Sequence, residues 1–565
     1  MLKTVLNTKT QRRKQKTADR ERITEAGCLF SVFCLLFSVL ILALLSGCGG
    51  PRKQATQKQP KAQDELGPTI GSLVEIFASE PIAVKGYSLI GGLNGAGSSE
   101  CPPQIRRYLE KYILQHVSGA KVNIDELINS PDTSVVTVEG IIPPAASKNQ
   151  RFDVRVSALP GTQTTSLEGG WLYGADLYEA RQLGLSIKAL AGAEGPVYID
   201  SISSEVHDPR SGFVLGGGSV LEEYEINLVL RKPDYRIASQ IRNRINERFE
   251  YDTAWALAPG NIELRVPVKY ARTKEKFIRL IRATYLAEIP ELAEKRIETQ
   301  ISNLVTSSNK NSAEIALEAI GNACLPRLAT LLDSNDPEVR FRAARCMFNL
   351  GNPKGREAIF NTAGDKKSPF RVEAIESIVG SAASPDTSSM LRGLLRDDDF
   401  SVRLTAYENL ARINDVMISR NLIANSFYLD QITDGGKPAI FVSRQSQPRV
   451  ALFGSPIYCQ GDIFVETPDG SVTINAPADQ QVVTIIRKHP RHPDKIIRLN
   501  CSLNLADIIQ TLCKEPQAQP GESGPGLGVP YSTLAMLLKQ LADAGAVSAE
   551  FHSSPPPKTL PNIKK

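Results

Sequence analysis

The chain has 565 residues, 42% of them apolar and 22% charged, a length and composition that suit three or four globular regions of about 150 residues each. Its formal charge of +5 is carried wholly by the first 27 residues, which hold eight Lys or Arg against three acids. The rest of the chain is balanced, so charge excludes nucleic acid as an expected partner.

After that basic stretch, residues 28–45 (CLFSVFCLLFSVLILALL) are almost unbroken apolar, the order of n-region and h-region in an export signal. Eighteen apolar residues also approach the ~20 that cross a bilayer, so a retained anchor helix is the competing reading. Leu45-Ser46-Gly47-Cys48 resembles the lipobox of bacterial lipoproteins, with small residues before the scissile bond and then a cysteine. That resemblance implies a precursor whose Cys48 thiol takes a diacylglycerol before cleavage. Gly49 follows the cysteine where Asp would retain the inner membrane in enterobacteria, which favours the outer membrane. Residues 49–68 (GGPRKQATQKQPKAQDELGP) lack aromatic residues and read as a tether that reaches about 65 Å when extended.

Residues 84–97 alternate apolar positions and then break into glycines, as a strand running into a tight loop does. No Lys-Ser or Lys-Thr follows, and the glycine spacing is not that of a dinucleotide-binding unit, so the glycines read as positions of positive φ and close backbone approach. Ser99 is placed to cap a helix from Pro102-Pro103 that sets Ile105, Leu109 and Ile113 on one face. Residues 134–139 and 151–157 alternate with period two, separated by Pro143-Pro144. Residues 166–172 and 212–219 read as glycine-bent strand ends, and 225–230 as another strand. Asp234 then caps a helix with Ile237, Ile241 and Ile245 inward and Arg236, Arg242, Arg244 and Arg248 largely outward.

GYSLIGGLNGAGSS from Gly86, RFDVRVSAL from Arg151 with TSLEGGWL from Thr165, GFVLGGG from Gly212, and INLVLRKPDYRIASQIRNRINERF from Ile226 stand in the order and spacing of the flagellar P-ring protein family. The resemblance covers roughly two hundred residues. It implies a non-enzymatic structural protein, exported to the periplasm, whose copies close into a ring around the flagellar rod at the peptidoglycan layer.

From Pro290 the texture becomes helical and repeats itself. Residues 339–343 (VRFRA), 370–374 (FRVEA) and 402–406 (VRLTA) share one pattern at offsets of 31 and 32 residues, each followed four residues after its alanine by Met347, Ile378 or Leu410. A small residue at a tight crossing and an apolar one a turn later are what stacked helix pairs need. Asp336-Pro337 and Asp398-Asp399 read as turns and N-caps between antiparallel helices. The pattern resembles short HEAT-like repeats, which implies either protein binding along a stacked surface or bracing alone. Cys324 and Leu325 belong on its buried side, and Arg340, Arg371 and Arg403 recur at one repeat position where a bond to a neighbouring turn is expected.

Residues 439–442, 449–453, 462–465, 471–474 and 482–486 are short apolar runs between turn residues, so the C-terminal region is β-rich. Helices at 503–512 and 532–544 follow, Gly545 suits the C-cap of the second, and 546–551 reads as a last strand. NLADIIQTL from Asn504 and PYSTLAMLLKQLADAGAVSAEF from Pro530 again resemble the P-ring family, now its carboxyl end, so the repeats are expected to be inserted into one P-ring-like chain. His489 and His492 are spaced i, i+3, but flanking prolines forbid a regular helix, and a basic exposed loop is expected there. His207-Asp208 has no nucleophile in a fitting context. In an oxidising periplasm some of Cys101, Cys324, Cys346, Cys459, Cys501 and Cys513 could pair, but they are scattered without CxxC spacing, so the sequence supports neither a disulfide framework nor a metal site, and no cofactor is expected.

The sequence therefore divides into a signal peptide (1–47), a lipid anchor and tether (48–68), a P-ring-like α/β region (69–288), HEAT-like repeats (289–415) and a β-rich C-terminal region (416–565) of α+β class. The expected role is a structural ring subunit, not an enzyme, with lipidation at Cys48 the one assigned site. Its implied partners are copies of itself, the flagellar rod and L-ring proteins, peptidoglycan, and the membrane through the anchor. The competing role is a non-flagellar envelope lipoprotein of the same fold whose repeats bind a protein.

Overall fold

The computed structural model describes residues 66–557 apart from 78–79, 117–122, 181–187, 204–207, 381–384, 490–491 and 517–525. The export signal, Cys48, most of the tether and His207 lie outside the described residues.

The chain enters through α1 (Ile70–Leu73) and β1 (Val74–Phe77). Period-two alternation then builds a six-stranded closed barrel. Its strands are β2 (Ile82–Gly91), β3 (Ser134–Ile142), β4 (Arg151–Ala158), β5 (Trp171–Glu179), β6 (Ala191–Pro196) and β7 (Ser211–Val220), in the order β2-β3-β4-β7-β6-β5 with every neighbour antiparallel. On β4, Phe152, Val154 and Val156 are buried while Arg151, Asp153 and Arg155 lie on the other side, as the pleat requires. One ring accounts for Gly218 of β7: a Cβ there would lie 2.7 Å from Phe152, as would one on Gly140 of β3, while a Cβ on Gly217 would meet Val214. The residues expected to form a glycine-bent end at 212–219 are thus a full wall strand packed against an aromatic side chain.

Between β2 and β3 run the expected glycine loop and two helices, α2 (Pro103–His116) and α3 (Ile124–Ile128). Gly92 and Gly95 have positive φ, and a Cβ on Gly97 would meet the Thr133 carbonyl at 2.1 Å. Ser99 does not cap α2: the helix starts at Pro103, and the Pro102 carbonyl accepts from Arg106. Ser98 instead closes a turn by accepting from the Glu100 N–H.

The next unit is a two-layer sandwich. β8 (Ile226–Leu230), β9 (Ala254–Ala258) and β10 (Asn261–Leu264) join β1 in the antiparallel order β1-β8-β10-β9. One face is covered by α4 (Tyr235–Arg248) and α5 (Lys274–Ala283), with Ile241, Ile245, Phe277 and Ile281 against Leu228 and Ile262. Asp234 accepts from the N–H groups of Arg236 and Ile237, the expected cap.

Eight helices follow: α6 (Pro290–Thr306), α7 (Lys310–Ile320), α8 (Leu325–Leu331), α9 (Pro337–Asn349), α10 (Pro353–Gly364), α11 (Arg371–Gly380), α12 (Pro385–Leu394) and α13 (Phe400–Arg412). α7, α9, α11 and α13 stack in succession as one layer, each paired with a helix of the other layer. The repeat alanines Ala343, Ala374 and Ala406 are fully buried, with Met347, Ile378 and Leu410 beside them, so the sequence repeat is the packing repeat. Asp336 and Asp399 cap α9 and α13 as expected. Phe341 and Phe370 stack between repeats with centroids 4.9 Å apart.

The remainder forms two sheets and two helices. β11 (Ile418–Ile423), β12 (Phe427–Ile432), β13 (Ala439–Val442) and β14 (Arg449–Phe453) join β19 (Glu550–Ser553) in the order β11-β12-β14-β13-β19. β15 (Ile463–Glu466), β16 (Val472–Ala476), β17 (Val483–His489) and β18 (His492–Cys501) form an antiparallel meander, and α14 (Leu505–Cys513) and α15 (Tyr531–Asp543) complete the layer. The five-stranded sheet is covered on both faces. Phe441 and Phe453 meet α13, whereas Ile440, Val442 and Leu452 meet α14, α15 and the meander. Double coverage explains the unbroken apolar runs of β13 and β14. The loop expected around His489 and His492 is instead the end of a hairpin whose register pairs those two residues.

Candidate assembly site and the seams that hold it

The elements meet at two seams built from polar side chains, some of them buried. The first joins the barrel to the C-terminal region across more than two hundred residues of sequence. Asp153 on β4 accepts from Gly216 N–H at 2.7 Å and from Ser446 N–H at 2.8 Å. Burial pushes its carboxyl up despite those two backbone bonds. Asp200 accepts from Ser203 Oγ at 2.6 Å, from Tyr198 Oη at 3.1 Å and from Arg444 Nη1 at 3.0 Å. Burial would raise this carboxyl too, but the Ser203, Arg444 and Tyr198 contacts outweigh it and hold Asp200 below its ordinary value. Glu168, in the loop before β5, accepts from Thr533 Oγ1 at 2.8 Å in the first turn of α15. Tyr531 packs its ring 5.8 Å from that of Tyr198 and lies 2.8 Å from the Ser443 and Arg449 carbonyls.

The second seam holds both ends of the helical stack. At its beginning, Arg296 of α6 is buried, donates to the Leu66 carbonyl at 2.8 Å and lies 4.1 Å over the ring of Tyr285. α5 packs on α7 and so acts as a first layer of the stack. Arg248, expected to point outward, instead donates to the carbonyls of Glu318 at 2.6 Å and Ala319 at 3.2 Å, the open C-terminal end of α7. Glu318 is paired with Lys276 at 2.9 Å. Arg244 likewise turns to Glu288 at 2.7 Å. At the far end, Arg403 donates to the Gly435 carbonyl at 2.9 Å and to that of Lys437. Asp430, fully buried, holds Arg420 through bonds of 2.8 and 2.7 Å and also accepts from Tyr407. The stack is therefore fixed at both ends, which a freely appended solenoid is not.

Each recurring arginine bonds a neighbouring turn, as its position suggested. Arg340 donates to the Ser334 carbonyl, Arg371 to the Ala363 carbonyl and to Asp397, and Arg403 to the loop before β13.

Between the 269–279 segment and the inner helix layer lies a cleft of about 1260 Å³. Lys269, Arg272 and Arg279 are exposed along one wall, and Glu373 and Glu376 of α11 along the other. Burial, then Glu373, raises the carboxyl of Glu376. Such walls suit a polar, extended segment of a partner rather than an apolar small molecule. Among the described residues no group of His, Cys, Asp and Glu is arranged to hold a metal ion, and no helix is long and apolar enough to cross a membrane. Cys48 and His207 cannot be placed in either seam, lying outside the described residues. Sequence reasoning missed Asp153, Asp200 and Arg444, because their partners lie hundreds of residues away and none belongs to a motif.

An α+β body with a helical-repeat insertion is the class that this architecture defines. Residues 69–310 match the family described as flagellar P-ring protein, and residues 325–411 match HEAT repeats. The chain is 31% identical over 212 residues to the flagellar P-ring protein of Thermotoga maritima, covering 35% of this chain and 60% of that protein. It is 29% identical over 212 residues to that of Geobacter metallireducens, covering 34% and 54%. Against that of Bradyrhizobium sp. it is 26% identical over 270 residues, covering 45% and 67%. The chain thus spans about three-fifths of the length of the first of these relatives, and its similarity is to the flagellar P-ring family over residues 69–310 and to HEAT repeats over residues 325–411.

Proposed function

We propose that this protein is a structural subunit of a periplasmic ring, the flagellar basal-body P-ring around the rod, and not an enzyme. The observation that carries this reading is the ordered match across residues 69–310. The packing of α15 and the Arg444 loop onto the barrel supports it, since one continuous body is what a ring subunit needs. Assembly would proceed by one face of each copy meeting a different face of the next, with a rotation that closes. The subunit would sit in the periplasm, held to the membrane, the outer one favoured, by lipid on Cys48 and the tether behind it. Its partners would be its own copies, the rod, the L-ring proteins and peptidoglycan. The division into signal peptide, tether, P-ring-like region, repeats and C-terminal region belongs to the same reading.

Electron microscopy of purified basal bodies from wild-type and deletion strains tests it. Loss of the ring with loss of swimming is the expected result, and an intact ring in motile deletion cells would refute the flagellar role. Cys48→Ala should leave the precursor unprocessed by lipoprotein signal peptidase; normal processing of that variant would refute the anchor. A second reading, an envelope lipoprotein whose repeats bind a protein, is favoured by the charged cleft beside α11. It predicts that Glu373→Lys with Glu376→Lys releases a co-purifying partner while leaving rings intact.

A further inference from the structure

The six described cysteines look scattered along the sequence, yet the fold brings two of them together. Cys324 ends the short turn between α7 and α8, and Cys346 lies in the last turn of α9. Both side chains are wholly buried in one apolar cluster with Leu317, Leu328 and Met347. Their sulfurs face the same stretch of α7: Cys324 Sγ lies 3.3 Å from the Leu317 carbonyl and 3.0 Å from that of Gly321, and Cys346 Sγ lies 3.9 Å from that of Glu314. The Leu317 and Glu314 carbonyls lie about one turn apart on α7, so the two thiols converge on one side of that helix.

We propose that Cys324 and Cys346 form a disulfide that ties the start of α8 to the last turn of α9. Thiols buried in one cluster between two packed elements need little backbone movement to reach bonding geometry. The bond would close a loop of 22 residues and so restrict the unfolded chain. It would also fix the turn just past the α7 carbonyls that Arg248 grips, which is where the stack begins. The step balances as thiol–disulfide exchange: the two thiols lose two protons and two electrons, an S–S bond forms between them, and the disulfide of an external oxidant is reduced to two thiols. Complete burial sets the timing. Neither sulfur is reachable once the stack has closed, so the bond must form while the chain is folding and is then shielded from reductants.

The proposal rests on the export reading for its oxidising compartment, so the test has two arms. In the first, the purified chain is reduced, denatured, refolded in a buffer of reduced and oxidised glutathione, alkylated in denaturant and digested with trypsin. The expected product joins peptide 311–327 to peptide 346–354, lighter than the two free peptides together by about 2 Da. Adding a reductant to the unfolding assay should lower the melting temperature of the wild-type chain but not that of the C324S/C346S variant. Full alkylation of both peptides, or a link from Cys324 to any other cysteine, would overturn the pairing, and because the mapping uses the wild-type chain it survives a variant that does not fold. In the second arm the chain is taken from the envelope fraction of the cells that make it. Free Cys324 and Cys346 there would sink the disulfide while leaving export intact. Recovery of the chain only from the cytosol would count against the proposed function, with the refolding arm still deciding the pair.

Discussion

Arg371 grips Asp397 through two nearly parallel bonds with both side chains almost out of water, at 8% and 6% exposure. Removing one partner of such a pair leaves the other charge buried alone, so Arg371→Ala should destabilise the chain by about 3–5 kcal/mol in urea unfolding. The pair also sets an acid dependence. The Arg371 bond holds the Asp397 carboxyl below its ordinary value, so below that ordinary value the unfolded chain binds the proton more readily than the folded one. Its stabilisation is therefore complete above about pH 4 and is lost as the pH falls through the lower folded value. Urea midpoints measured down the acid range should drop for the wild-type chain, and the drop should be shallower in Arg371→Ala. The periodicity of VRFRA, FRVEA and VRLTA made this arginine visible in the sequence, because a repeat exposes its constant positions. Asp397 was not visible, since it precedes the Asp398-Asp399 turn and only the folded geometry shows which of three neighbouring acids turns inward.

At the scale of elements, what was legible followed from packing that leaves a period. The half-buried strands β3 and β4, the capped helix α4 and the repeat alanines all carried such a period and were readable. β6 (AGAEGP) was not, and β7 was legible only as a glycine-bent end, because small residues fit a narrow barrel wall: a Cβ on Gly218 would meet Phe152, and one on Gly195 or Gly217 would meet Val214. Gly218→Val should therefore lower stability by about 1–3 kcal/mol in thermal unfolding, with the branched side chain driven into Phe152. Ala374→Leu should cost about as much, because Ala374 is fully buried where α11 crosses its neighbours. β11, β12 and β18 were also missed: Arg420, Asp430 and Lys495 interrupt the apolar alternation there, and two of those charges are neutralised only by partners in the folded chain. The loop expected at His489 became a strand end for the same reason, since pairing with the opposite strand overrides a weak local signal.

At the scale of the whole molecule, the seam between barrel and C-terminal region should make the two unfold together. A double-mutant cycle on Asp200→Ala and Arg444→Ala should give a coupling of about 0.5–3 kcal/mol in urea unfolding, and additive effects would mean that the seam carries no cooperativity. The sequence implied that the repeats interrupt one body, through the returning carboxyl-end motifs, but not that they are fastened at both ends. The contacts that fasten them, Arg248 to the end of α7 and Arg403 to the loop before β13, are backbone carbonyl bonds with no residue signature on the accepting side.

Asp153 and Asp200 emerge early in synthesis, whereas Ser446, Arg444 and Thr533, which satisfy the seam, come near the end. A partly delivered chain therefore holds a barrel whose buried carboxylates still await their donors. Contacts of such wide sequence separation form late and slowly. Maturation is thus coupled to complete delivery: fragments lacking the last 120 or so residues should present an unsatisfied, protease-sensitive barrel flank, so the closing segment acts as a checkpoint that withholds the finished surface until the whole polypeptide has arrived.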